Sequence, residues 1–228
     1  MKRQLLYYVL FLCFFLPATA QKKAYMHPEA QIAFVKKQIN KKQEPFLSAY
    51  RQLISLADSA LKIPHHALED FSVPGYYIDA EGHRRNSKAL QTDAFYAYCS
   101  ALAYRLSGSK KYGNKAIELM TAWAKVNKKY SDNDGTLVMS YSGNAMVMAA
   151  QLMSESSLWK KDDHTLFDRW LLNVYRKANN EIRTRANNWA DWGRFGSTLC
   201  AVYFNDTAEL NETFPTLMPL TLTNYVSP

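Results

Sequence analysis

The chain has 228 residues, of which 48% are hydrophobic and 21% charged, and it contains only 8 Gly and 8 Pro. This ordinary composition excludes collagen-like, low-complexity and disulfide-dense proteins, and the length suits one large domain or two small ones. The formal net charge of +8 favours acidic partners.

The first twenty residues predict a secretory signal peptide. Lys2 and Arg3 precede an apolar run over residues 5–16, and an Ala-x-Ala cleavage site ends at Ala20. The alternative is an uncleaved anchor. Cleavage would make the protein periplasmic or secreted, without membrane association, and would lower its net charge by two, to +6. Export favours an anionic polysaccharide over nucleic acid as the partner, and surface charge without any partner is the alternative.

Nearly all periodic segments of the chain have the helical spacing of three to four residues. The predicted helices cover about residues 28–39, 45–61, 87–106, 111–126, 142–153, 162–183 and 188–204. No strand pattern of five alternating residues competes with them. The sequence therefore predicts an all-α domain over residues 21–228, built from consecutive antiparallel helix pairs. Residues 213–228 have no helical period and contain Pro215 and Pro219, which indicates a truncation or a frame error and an incomplete domain.

An irregular connection is predicted over residues 64–87, and its second half is a candidate binding segment. Two tyrosines and two arginines follow Pro74-Gly75, among them Tyr77, Arg84 and Arg85. On a loop between helices, these side chains would suit a lid over an anionic ligand. A solvated connector accounts equally well for this composition.

Residues 187–194 combine two amides, two indoles and a guanidinium at a predicted helix start. Asn188 and Trp192 are four residues apart and therefore lie on one helix face. An indole stacks on a sugar ring while an amide bonds a hydroxyl or carboxylate, so Asn188, Trp189 and Trp192 are candidate sugar contacts. The alternative is an asparagine cap followed by tryptophans of the core.

The sequence predicts no metal site and no cofactor. Its five histidines lack His-x-x-x-His spacing, and it has neither Cys-x-x-Cys pairs nor phosphate- or dinucleotide-binding glycine patterns. Asp132–Gly135 resembles the start of a calcium loop, but the twelfth position is Gly143, so a turn is predicted. Cys99 and Cys200 lie in apolar helical patterns. They are predicted to be free buried thiols, and a disulfide between them is the alternative.

Asn187-Asn-Trp-Ala-Asp-Trp192 resembles the Asn-Asn-His-x-x-Trp motif of the alginate lyase family of polysaccharide lyases. The resemblance extends over about residues 25–210. Within it, other stretches resemble segments of this family in the same order, namely residues 27–29, 44–45, 73–77, 93–112 and 116–123. The resemblance implies an (α/α) toroid and a β-elimination reaction on uronate polysaccharides.

The resemblance also implies roles for two residues of the motif. Asn188 matches the asparagine that neutralises the uronate carboxylate, and Trp192 matches a tryptophan that contacts the sugar. Neutralisation matters because a C5 proton beside a charged carboxylate is very hard to remove. In such reactions a tyrosine or histidine takes that proton, and a tyrosine protonates the leaving oxygen.

Two departures from the family pattern concern activity. Trp189 stands where the family has histidine, and an indole cannot accept a proton. The family's catalytic tyrosine and arginine lie downstream, beyond the end of this sequence. We therefore predict a polysaccharide lyase-like protein with little or no lyase activity in this chain alone, and Tyr76, Tyr77 and Tyr141 are the bases to test if it does turn over. The alternative is a noncatalytic secreted module that binds glycan or protein.

Overall fold

The computed structural model describes residues 26–213, so the predicted signal peptide and residues 214–228 of the predicted tail lie outside the described part. The described part is mostly helical, as predicted. Its elements are α1 (Glu29–Asn40), α2 (Phe46–Ala60), β1 (Asp70–Ser72), α3 (Ala80–Ser107), α4 (Lys110–Val126), β2 (Lys129–Ser131), α5 (Gly135–Met153), α6 (Lys161–Trp170), a π-helical turn (Leu171–Tyr175), α7 (Arg176–Ile182), α8 (Asn188–Phe204) and α9 (Thr207–Glu212).

The helices form two layers, and α3, α5 and α8 lie side by side in one of them. Helices α4, α6 and α7 return in the opposite direction and form the second layer. Strands β1 and β2 pair in parallel just before α3 and α5, and Arg105 near the end of α3 bonds to the carbonyl oxygen of Leu152 near the end of α5. The N-terminal ends of α3 and α5 therefore lie together at one edge of their layer.

Asp93 in the middle of α3 is a buried polar link within the core. Its carboxylate is fully buried and accepts hydrogen bonds from the indole N–H of Trp123, at 2.8 Å, and from the backbone N–H of His66, at 2.7 Å. The second carboxylate oxygen lies 2.7 Å from Nδ1 of His66. One side chain thus ties α3 to α4 and to the connection after α2.

A π-helical turn interrupts the helix predicted over residues 162–183. Within it, the buried hydroxyl of Tyr175 donates to Oδ1 of Asn144 at 2.5 Å, and its oxygen lies 3.1 Å from the carbonyl oxygen of Ser140. The Tyr175 ring packs directly on the backbone of Gly143, where a Cβ atom would come within 2.4 Å of it. A glycine is therefore required at this contact between α5 and the second layer.

Two predicted helix starts are wrong, because α3 and α5 begin at Ala80 and Gly135 rather than near Ser87 and Ser142. The side chain of Asp79 accepts from the backbone N–H of Gly82 and caps α3. The first turns of α3 are mostly exposed and polar, so they carry little hydrophobic period.

Three smaller features also differ from the sequence analysis or settle an alternative. The helix predicted from residue 162 begins at Lys161, so Asp162 lies in the first turn of α6. Strands β1 and β2 have three residues each, too few to show alternation. Cys99 and Cys200 are free and buried, and burial raises their pKa to about 11 and about 12, so both stay thiols at neutral pH.

Along residues 26–213, none of the helices combines the length and apolar character that a bilayer-spanning helix needs.

Candidate functional site

A cleft of about 570 Å³ opens beside the first turns of α3. This volume lies within the range of roughly 300–1,000 Å³ that is usual for ligand sites. We call it the α3 cleft, and its lining residues are Tyr76, Glu81, His83, Arg84, Arg85, Ser87, Lys88 and Gln91. Arg84 and Arg85, which belong to the predicted binding segment, line this cleft from a helix rather than from an irregular connection.

The α3 cleft is positively charged. Arg84, Arg85 and Lys88 are exposed at its wall, and no carboxylate among residues 26–213 forms an ion pair with them. The guanidinium of Arg84 lies 5.9 Å from the centre of the Tyr76 ring and 3.5 Å from its hydroxyl. These three cations are available to an anionic ligand. The only acidic residue in the lining of the cleft is Glu81.

His83 has one ring nitrogen held by two oxygen acceptors. Its Nδ1 lies 3.0 Å from the carbonyl oxygen of Pro74 and 3.1 Å from Oδ2 of Asp134. Asp134 also accepts from the backbone N–H of Tyr76 at 2.9 Å. No sequence pattern indicates a role for His83 or Asp134, since they are about fifty residues apart and follow no motif.

Tyr141 on α5 connects the α3 cleft to α8. Its phenol lies close enough to the side chains of Ser87 and Gln91, which line the cleft, for both to affect its pKa. Its ring lies 5.8 Å from the ring of Trp192 on α8. Burial raises the pKa of Tyr141, and the nearby charge of Asp134 raises it further, so the phenol stays protonated at neutral pH. Tyr141 is therefore placed as a proton donor.

The start of α8 presents the predicted amide and indoles. Asn187 is the cap, because its side chain accepts from the backbone N–H of Trp189 at 3.1 Å. Asn188 follows it, exposed, and its side chain has no hydrogen-bond partner within the described residues. Trp192 is 41% exposed, and Trp189 is half-buried, so neither is a core tryptophan. Trp189 instead stacks with the guanidinium of Arg185, 4.2 Å from its ring centre.

The two candidate segments predicted from the sequence thus lie on either side of Tyr141, apart from one tyrosine. Tyr77 is fully exposed beside Tyr76 and does not line the α3 cleft. The joined surface holds free cations, a proton donor and an exposed indole, which suits it to an anionic sugar.

In the part of the chain that the structure describes, no group of three or more His, Cys, Asp or Glu residues is arranged to hold a metal ion.

Comparisons with known proteins point to one family. The family model for alginate lyase matches residues 17–217 of this chain. The crystal structure of an alginate lyase from Bacteroides ovatus is similar to it, with a TM-score of 0.70 and 18% sequence identity, over 92% of this chain and 68% of the other. No curated protein matches in sequence. The structural likeness shows that the two helical layers have the predicted (α/α) toroid fold.

Proposed function

Because the chain belongs to the alginate lyase family, we propose that it binds a uronate-containing anionic polysaccharide along α3, α5 and α8 and cleaves it by β-elimination. Membership of this family makes the chain a polysaccharide lyase-like protein.

The observation that carries the proposal is the position of Tyr141 between the two binding segments. It contacts the cationic α3 cleft through Ser87 and Gln91, and it contacts the exposed indole of Trp192. A polyanionic chain lying across these helices would meet cations, a phenol and a stacking platform in succession.

Each proposed role follows from the chemistry of the group. Arg84 and Arg85 attract and orient the uronate carboxylates, and Trp192 stacks on a sugar ring. Asn188, with its free exposed amide, bonds a carboxylate and stabilises the negative charge that develops when the C5 proton leaves. Tyr141 protonates the leaving oxygen, since it holds its proton at neutral pH.

We further propose that elimination by this chain is slow. Trp189 places an indole, packed on Arg185, where the family motif has an imidazole. The competing function is a noncatalytic glycan-binding module, which would use the same cations and the same indole. The two differ in one product, because only elimination leaves an unsaturated uronate with its own ultraviolet absorbance.

The first test measures binding by calorimetry with acidic and neutral oligosaccharides of equal length. Oligouronates should bind more tightly than neutral chains, and their affinity should fall as salt is added, because exposed charges are screened. Equal affinity for the two kinds of chain would contradict the proposal. Appearance of unsaturated ends in the same samples separates a lyase from a binding module.

Replacing Trp192 by alanine should weaken oligouronate binding by about 1 kcal/mol or more, because the sugar loses its stacking surface. Phe34 is a matched control, since it is a comparably exposed aromatic residue, on α1. Phe34→Ala should leave the affinity unchanged. Equal affinities of Trp192→Ala and the unsubstituted protein would remove Trp192 from the binding surface.

A further inference from the structure

We propose that His83, oriented by Asp134, is the general base that removes the C5 proton, and that this step takes place in the α3 cleft. The inference rests on the proposed function, because it names a catalytic residue for the same reaction. It assigns the base to a different helix from Trp189, the motif position that cannot accept a proton.

The contacts of His83 determine which of its nitrogens is basic. Both neighbours of Nδ1, the Pro74 carbonyl and the Asp134 carboxylate, are acceptors, so Nδ1 carries the proton and donates. In the neutral ring, Nε2 then has the lone pair. Within residues 26–213, Nε2 has no hydrogen-bond partner. A carboxylate that fixes the tautomer and orientation of a histidine is the arrangement by which hydrolases prepare a base.

The other groups that the reaction needs lie around the same cleft. Ser87, one helical turn after His83, donates to the His83 carbonyl oxygen at 2.6 Å and lies close enough to the Tyr141 phenol to affect its pKa. Asp134 is close enough to Tyr141 for its charge to affect the phenol. Arg84 and its neighbouring cations line the wall and would hold the uronate carboxylates of the bound chain there.

The step is balanced without an additional reactant. Nε2 of His83 takes the C5 proton, and the electrons of the C5–H bond form the C4–C5 double bond. The C4–O4 bond breaks, and Tyr141 gives its proton to O4 of the departing sugar. The imidazolium and the phenolate then return to their starting states by proton exchange with solvent.

The chain contains a second His–Asp pair that serves as a control. Nδ1 of His66 lies 2.7 Å from Oδ1 of Asp93, but His66 does not line the α3 cleft. Its partner Asp93 is a core residue that also binds Trp123. His66 therefore has the same type of partner as His83 and no access to the proposed substrate.

The test compares His83→Asn with His66→Asn in the full chain. An asparagine amide at position 83 can still donate to Asp134 and Pro74, but it has no basic nitrogen. We expect His83→Asn to form unsaturated uronate about 10²–10⁴-fold more slowly, with unchanged oligouronate affinity and unchanged thermal unfolding. His66→Asn should keep the rate of the unsubstituted protein. His83→Ala should recover part of its activity when free imidazole is added.

Several results would overturn the inference. If His83→Asn keeps its rate, His83 is not the base, although the proposed elimination stands. If imidazole fails to restore His83→Ala while this variant folds and binds, the role is not proton transfer. If the unsubstituted chain binds oligouronate but yields no unsaturated ends, elimination and its base both fail, and the binding module is the correct function.

Discussion

Tyr141→Phe is expected to lower the rate of elimination by about 10²–10⁴-fold while it leaves oligouronate affinity nearly unchanged. The substitution removes the proton donor, so the leaving oxygen has to depart as an alkoxide or take its proton from water. The ring that contacts Trp192 is retained, and so is the stacking surface. The measurement is the slow growth of ultraviolet absorbance from unsaturated uronate, followed over long incubations, together with calorimetric affinity.

Tyr130 offers the matched control for this substitution. It is also a partly buried tyrosine with a raised pKa, but its hydroxyl donates to Glu181 at 2.7 Å, outside the α3 cleft. Tyr130→Phe should keep the original rate. A Tyr141→Phe protein that is as fast as Tyr130→Phe would rule out Tyr141 as the donor. If Tyr141 and His83 act in one concerted step, the double variant should be scarcely slower than either single variant.

Asp93→Ala is expected to lower the free energy of unfolding by about 3–5 kcal/mol, because it removes the fully buried carboxylate that accepts these hydrogen bonds. The indole N–H of Trp123 and the backbone N–H of His66 would lose their partner. The smaller side chain would also leave a void between α3 and α4.

Urea unfolding at constant pH measures this loss of stability. His66→Ala is the comparison, since its side chain is 44% exposed and makes one of these contacts, and it should cost no more than about 1 kcal/mol. Equal stabilities of Asp93→Ala and His66→Ala would show that the buried carboxylate contributes little beyond its contact with His66.

Much of the fold could be predicted from the sequence because most helices bury apolar residues that recur every three to four positions. The segments from Lys111 and from Asn188 have this period, and both helices match their predicted ranges closely. The starts of α3 and α5 could not be predicted in this way, because exposed polar turns and buried small residues carry no hydrophobic stripe. The π-helical turn depends on tertiary packing around Tyr175, which the local sequence does not encode.

The site was predictable where its chemistry is local, and not where it depends on contacts distant in sequence. Asn188 and Trp192 lie on one face of one helix, and Arg84 and Arg85 are consecutive in the sequence. The contact of Tyr141 with Trp192, and that of His83 with Asp134, each join residues about fifty positions apart. Only the parallel arrangement of α3, α5 and α8 brings these residues together.

Because residues 171–175 form a π-helical turn, the packing around them depends more on the number of residues in this segment than on most of their side chains. A π-turn contains one residue more than the α-helical spacing, and each residue of an α-helix turns the chain by about 100°. Deleting one residue here would restore the ordinary spacing and rotate Tyr175 away from Asn144, together with the buried face of α7. Many substitutions in this segment would be milder than that single deletion, whereas connections at the surface accept changes of length far more readily.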